Sequence, residues 1–259
     1  MRLKNKVAIV TGGGVGIGKA ISIAFAKEGA DVVIACPFWP ELEPTANEIE
    51  SLGRKSLAVL TDISDENQVK NMVAETVARF GRVDVLVNNA GIEGATASVV
   101  DVELQDWNRV LAVNLVGPML CSREVLKIMI PHRSGNIINI SSAAGKKGVA
   151  MHSSYCASKW GVIGLTQCLA LEVGVHTIRV NCICPSWTHG ERIERIMRAR
   201  ADATGRPYEE ILQLSARDSP LGRMVASQDV AAMAVFLASN ESSGMTGQAI
   251  NVSPGTDMR

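Results

Sequence analysis

Tyr155-Cys156-Ala157-Ser158-Lys159 sets a phenol four residues ahead of an ammonium. On a helix, positions i and i+4 share one face, so Lys159 stands beside Tyr155. A free tyrosine ionises near pH 10 and is a poor base at neutral pH. An adjacent ammonium stabilises the phenolate and fits the pair for general acid/base work. Ser142 comes shortly before them, just past an apolar run that ends at Ile140. A hydroxyl there can hydrogen-bond a substrate oxygen and hold it near the phenol. Taken alone, Y-x-x-x-K recurs by chance, mostly on solvated helix faces. A serine at the carboxyl end of a strand says more, because α/β sheets bind ligands at that edge.

A second constellation opens the chain. Val7–Val10 reads as a buried strand, and Thr11-Gly12-Gly13-Gly14-Val15-Gly16-Ile17-Gly18 follows it at once and leads into a helix. Glycines there allow a tight turn and let backbone approach a pyrophosphate. The helix N-terminus then offers unpaired N–H groups and a positive dipole end. The bland alternative is a glycine turn that only connects two elements. Its place between the first strand and the first helix favours the dinucleotide reading. The spacing is T-G-x-x-x-G-x-G rather than G-x-G-x-x-G.

These groups need a scaffold, and the rest of the chain supplies a rhythm for one. Short β-branched runs are expected as strands at Val7–Val10, Asp31–Ala35, Ser56–Leu60, Val83–Val87, Asn136–Ile140, Arg179–Ile183 and Ala249–Val252. Helical periods fall near Ile17–Glu28, Glu41–Leu52, Glu66–Phe80, Leu104–Met129, Ser154–Val173, Glu191–Leu214 and Ser227–Ala238. Strands alternating with helices imply right-handed crossovers and a parallel sheet covered on both faces. One domain over residues 1–259 is expected. Pro185–Arg223 breaks the rhythm: it is long, rich in both charges and interrupted by Gly190, Gly205, Pro207 and Pro220. An insertion of that kind after a strand reads as a helical lid over about 186–217, hinged at Gly190 and Gly205.

Composition excludes other classes. Lys and Arg total 26, as do Asp and Glu, so no global charge draws the chain to nucleic acid or an anionic membrane. The six cysteines form no C-x-x-C pair and do not cluster with the four histidines, so metal-ligand spacing is absent. They read as buried free thiols in a reducing cytoplasm. Arg2, Lys4 and Lys6 before Val7–Val10 mimic a secretory signal, but the apolar run is shorter than the roughly 7–15 residues that such a signal needs. No apolar run reaches the roughly 18 residues expected of a membrane span.

With the glycine turn, Ser142, Tyr155 and Lys159 in this order, the chain resembles the single-domain short-chain dehydrogenase/reductase family over essentially its whole length. Asn88-Asn89-Ala90-Gly91 matches the segment after the fourth strand that borders the cofactor. Asp62-Ile63 matches the acidic-apolar pair that contacts the adenine. Asn114 matches a fourth catalytic member that helps hold a water linking the lysine to solvent. The resemblance implies a Rossmann-like, doubly wound sheet of seven parallel strands, a nicotinamide cofactor, a small alcohol or ketone substrate and a homotetramer. It implies Tyr155 as general acid/base, Ser142 as positioner of the substrate oxygen, and Lys159 as the group that tunes Tyr155 and anchors the ribose. The cofactor contacts it implies are Gly12, Gly14, Val15, Gly16, Ile17, Gly18, Cys36, Asp62, Ile63, Asn89, Ala90, Gly91, Tyr155, Lys159, Pro185 and Thr188. A non-catalytic dinucleotide-binding sensor on the same fold is the alternative, and the presence of all four catalytic residues argues against it.

The chain also departs from that pattern. NAD-preferring members carry an acid at the end of the second strand, and NADP-preferring members a cation there or in the glycine turn. Here the strand end reads Cys36-Pro37-Phe38-Trp39-Pro40, and Val15 occupies the turn position. A neutral pocket without a cation offers a phosphate little, so NAD is favoured and NADP is the alternative. Phe38 and Trp39 either flank the adenine or plug the loop. After the sixth strand, Pro185-Ser186-Trp187-Thr188-His189-Gly190 replaces the family's P-G run, so Thr188 is expected to meet the carboxamide by backbone rather than side chain. Val252-Ser253-Pro254-Gly255 replaces a V-D-G-G segment at subunit contacts. His152, Glu93 and Trp187 are expected near the substrate; His152 is either a donor to a polar substrate or a polar residue at a helix start. Lys146 or Lys147 is a candidate for an anionic substrate group. The arginines Arg192, Arg195, Arg198, Arg200 and Arg206 read chiefly as a solvated helix with paired charges rather than an anion-binding lid.

Overall fold

The structure is a computed structural model that describes every residue except 191–192, 195–196, 199–200, 202–203, 212–218 and 259. Seven strands form one parallel sheet: β1 Val7–Thr11, β2 Asp31–Cys36, β3 Ser56–Leu60, β4 Val85–Asn88, β5 Gly135–Ile140, β6 Ile178–Pro185 and β7 Ala249–Val252. Their spatial order is β3-β2-β1-β4-β5-β6-β7. The chain winds outward in one direction from β1 to β3, returns to β4 beside β1, and then winds the other way. That reversal leaves a crevice beyond the carboxyl ends of β1 and β4, where a ligand can enter an open sheet.

Side-chain alternation sorts the core into two layers. Ala8, Val10, Val32, Ile34, Val85, Val87, Ile138 and Ile140 face α1 (Gly16–Lys27), α2 (Trp39–Ser51) and the last long helix, α7 (Ser227–Ala238). Ile9, Val33, Ala35, Leu86 and Ile137 face the opposite layer, built on α3 (Glu66–Phe80), α5 (Gly117–His132) and α6 (Ser153–Val173). Both sheet faces are therefore buried, as a parallel sheet requires. A polar chain crosses the interior: Asn88 Nδ2 donates to Asn139 Oδ1 (2.8 Å), and Asn139 Nδ2 donates to Thr166 Oγ1 (2.8 Å).

Local chemistry explains the element ends. At α3, the carboxylate of Asp65 accepts the Asn67 and Gln68 N–H groups, and Gly81 closes the helix in the left-handed region at φ 73°. The expected helix Leu104–Met129 is corrected to three pieces: α4 (Leu104–Leu111), a π segment (Ala112–Val116) and α5. A 3.6-residue apolar period does not register a single wide turn. β4 starts at Val85, two residues later than expected, and α2 starts at Trp39, two residues before Glu41, because Pro40 suits the first helical turn. Five cysteines are buried, but Cys168 is exposed on α6, against the expectation for all six. Burial pushes the Cys121 thiol up to about 12. The expected helix Glu191–Leu214 and lid lie partly outside the described residues. Of those described, Ile193, Met197, Ala201 and Ile211 pack into a small cluster with Tyr208 and Met224. Among the described residues, no helix is long and apolar enough to cross a membrane.

Candidate active site

The glycine turn is fixed from two sides. Thr11 Oγ1 accepts the backbone N–H groups of Asn89 (3.0 Å) and Ala90 (3.1 Å), and Asn89 Nδ2 donates to the carbonyls of Thr11 (2.9 Å) and Gly12 (3.1 Å). The Asn89 amide therefore holds the turn, and Ala90 and Gly91 carry the backbone onward along the crevice. Gly12 sits at φ 61°, which a side chain rarely adopts. A Cβ on Gly18 would overlap the Gly12 carbonyl oxygen and stand 2.5 Å from Asn89 Nδ2. Helix and turn therefore touch backbone to backbone. Val15 supplies no side-chain cap to α1, and Gly16 is exposed with open space beyond it. Ile17 follows in the first turn, so the leading N–H groups of α1 suit an anionic oxygen. These features fit a dinucleotide pyrophosphate. Gly18→Ala is expected to cost about 1–3 kcal/mol, to lower Tm by several degrees, and to weaken NADH binding about tenfold. Calorimetry and a binding titration check this; unchanged values would show that the turn yields.

Beside the turn, β2 ends at the buried Cys36. Its thiol donates to the Phe38 carbonyl (3.2 Å) and lies 3.7 Å from Glu41 Oε2. Burial, with the Glu41 charge adding to it, pushes this thiol up. Phe38 and Trp39 are 61% and 47% exposed, so neither plugs the loop. The sequence reading found no acid here and missed Glu41, which folds back from the first turn of α2. Its only signal was a glutamate just past Pro40 at an expected helix start. Across the crevice, Asp62 accepts the Ser64 hydroxyl (2.6 Å) and amide (2.9 Å), and Arg109 donates to its other oxygen (2.9 Å). Burial pushes the Asp62 carboxyl up, but these bonds outweigh it and hold the group below the usual carboxylate value. Ile63 is buried against Gly117.

The chemical end gathers at the carboxyl edge of β5. Ser142 caps the short 3-10 turn Ala143–Gly145, and its oxygen accepts the Ala144 N–H at 3.1 Å. This turn packs against α6, where Ser141 Oγ donates to the Lys159 carbonyl at 2.8 Å. Lys159 is 4% exposed; its ammonium donates to the Ile140 carbonyl at 2.9 Å and stands 5.7 Å from the centre of the Tyr155 ring. Asn114 lies inside the π segment, an irregularity that recurs at functional sites. Its carboxamide accepts the Ile92 N–H (2.8 Å) and donates to the Ile92 carbonyl (2.8 Å) and Ser158 Oγ (3.1 Å). A Cβ on Gly91 would meet Asn114 Oδ1 at 3.2 Å and Lys159 Nζ at 3.4 Å, so a side chain there would crowd both groups. The fold thus brings Asn114, Ser142, Tyr155 and Lys159 to one edge.

Around that edge the remaining expectations separate. His152 caps the start of α6, and among the described residues its Nδ1 is buried without a partner, as are the hydroxyls of Ser153 and Ser186. Trp187 is 42% exposed, and Glu93 is half-buried in the stretch after β4. Pro185 closes β6, while the Thr188 hydroxyl donates to the Ser186 carbonyl (2.9 Å) and its backbone bridges to Val225. The lysines expected near an anionic substrate are engaged elsewhere: Lys146 donates to the Ala249 carbonyl (2.7 Å), and Lys147 pairs with Asp257. Arg198 lies over the Tyr208 ring and Arg206 pairs with Glu210; Arg192, Arg195 and Arg200 are outside the described residues. Among the described residues, no cluster of His, Cys, Asp and Glu could hold a metal ion.

The short chain dehydrogenase family matches residues 6–200, and the chain belongs to that family. It is an oxidoreductase that moves a hydride between NAD(P) and an alcohol or ketone carbon. The 3-oxoacyl-[acyl-carrier-protein] reductase FabG of Thermotoga maritima is 38% identical over 98% of this chain and 99% of its own. Galactitol 2-dehydrogenase of Agrobacterium fabrum is 38% identical over the full length of both. NAD+-bound xylitol dehydrogenase superposes with a TM-score of 0.94 at 30% identity, covering 98% of this chain and 100% of its own. Actinorhodin polyketide ketoreductase with NADPH gives 0.94 at 33% identity, covering 98% of each chain.

Proposed function

We propose that this enzyme interconverts a small polar secondary alcohol and its ketone, that NAD(H) is preferred over NADP(H), and that Tyr155 exchanges the proton. The convergence of Asn114, Ser142, Tyr155 and Lys159 at one strand edge carries the reading. A bound nicotinamide supplies the hydride donor or acceptor. In the reducing direction Tyr155 gives its proton to the substrate oxygen, and the buried Lys159 ammonium stabilises the phenolate left behind. Ser142 already accepts the Ala144 N–H, so its own proton is placed to donate to that same oxygen. Asn114 ties Ile92, and with it the stretch after β4, against Lys159. The leading N–H groups of α1 and the turn Gly12–Gly18 would hold the pyrophosphate.

Polarity of the substrate is supported by the unpartnered His152, Ser153 and Ser186 atoms, since buried polar atoms seek a partner. It is supported also by the polyol dehydrogenases among the relatives. NAD preference rests on the missing cation at Val15 and Cys36–Trp39. The same reading, by the family resemblance, carries a homo-oligomer. NADH and NADPH tested against a panel of ketones, with NAD+ and NADP+ against polyols and hydroxy acids, decide the matter. Higher kcat/KM with NAD(H) is expected. A clear NADP(H) preference would overturn the cofactor reading. Tight dinucleotide binding with no turnover across the panel would favour the non-catalytic alternative.

A further inference from the structure

Dehydrogenases of this architecture that use NAD hold the adenosine ribose hydroxyls with a carboxylate, commonly near the end of the second strand. Here that strand ends in a thiol, which is a weak donor and a weak acceptor. We propose that Glu41 takes over this task and selects NAD(H) against NADP(H).

Its position is set by packing. Because α2 begins at Trp39, Glu41 falls in the first helical turn, where the helix dipole favours a negative charge. The helix start is pressed onto the glycine turn: a Cβ on Gly14 would overlap the Glu41 carbonyl oxygen and stand 3.1 Å from the Glu41 Cβ. Thr45 Oγ1 locks the same contact by donating to the Gly14 carbonyl at 2.9 Å. From there the side chain turns back to the strand end, with Oε2 3.7 Å from Cys36 Sγ. The carboxylate therefore stands between the end of β2 and the turn that would cradle the phosphates. Among the described residues no lysine, arginine or histidine pairs with it. The lysine that does reach α2, Lys19, pairs with Glu48 at 2.9 Å. A ribose diol can donate to such a carboxylate, whereas a 2′-phosphate meets like charge, with no cation paired to Glu41 among the described residues.

The inference rests on the reading that the cofactor's adenosine half lies over the β1–β2 edge, and binding tests it apart from turnover. NADH and NADPH are titrated, without substrate, into the wild type, Glu41→Gln and Glu41→Lys, and 5′-AMP and adenosine 2′,5′-bisphosphate are used as competitors. Glu41→Gln is expected to weaken NADH and tighten NADPH, so that Kd(NADPH)/Kd(NADH) falls about 10- to 100-fold, the range of a charge-assisted hydrogen bond. Glu41→Lys should push the ratio further, and the two fragments should follow their parent cofactors. An unchanged ratio in a variant with wild-type Tm, or an equal loss for both cofactors, would overturn the assignment. A wild type that prefers NADPH while Glu41→Gln still shifts the ratio would sink the NAD reading and leave Glu41 in its role. A wild type that prefers NADH with an unmoved ratio would do the reverse.

Discussion

Tyr155→Phe is expected to bind NADH as the wild type does and to turn over about 10² to 10⁴ times more slowly, the range for removing a general acid/base. The substitution deletes one oxygen and little else. The ring remains beside the Lys159 ammonium, now 5.7 Å from its centre. The Tyr155 backbone carbonyl still accepts the Ser158 hydroxyl at 2.7 Å, which in turn accepts from Asn114. The fold of α6 and the link to the π segment therefore survive, and Tm should stay close to the wild-type value. A single-turnover measurement with preformed enzyme–NADH separates chemistry from product release. Near-normal turnover in the folded variant would remove Tyr155 from the reaction.

Lys159→Met is expected to lower kcat by at least about a hundredfold and also to weaken NADH, because the ammonium is proposed to serve both the phenolate and the ribose. Methionine refills most of the buried stem. The Lys159 backbone carbonyl keeps its bond from Ser141, so α6 stays docked on the turn after β5. What is lost is the donor to the Ile140 carbonyl, and an unsatisfied buried acceptor costs about 1–3 kcal/mol. A moderate fall in Tm should accompany the kinetic loss. Lys159→Arg should restore little, because a planar guanidinium does not reproduce a compact point charge in a buried slot. Wild-type kcat in the methionine variant, or an effect on Tm alone, would reduce Lys159 to a structural residue.

The seven strands were legible because short, nearly unbroken apolar runs alternate with helical periods, as a sheet buried on both faces requires. Residues Glu66–Phe80 were bounded correctly since Asp65 and Gly81 act locally on the helix ends. Catalytic candidates were legible by type and spacing, and the strand ends then bring them together. What escaped depended on tertiary contact. The acid missing from the end of β2 arrives from a residue five positions later, through the packing of α2 on Gly14. The Asn89 side chain holds Thr11 and Gly12 in the turn, and the partners of Lys146 and Lys147 lie in the C-terminal strand and tail. The break in Leu104–Met129 left no trace in the apolar period.

A helix with a π turn holds one residue more than the same helix wound evenly, so Ala112–Val116 behaves as a one-residue insertion. Deleting a single residue there would remove the wide turn, but Pro118, which has no N–H to donate, would then sit inside the helix and kink it. The feature that would vanish is the local swelling that aims the Asn114 carboxamide at Ile92 and Ser158. At this one spot, helix regularity is set against the catalytic edge. A one-residue change of length at this point would therefore displace the Asn114 carboxamide from its partners, and with it the catalytic edge.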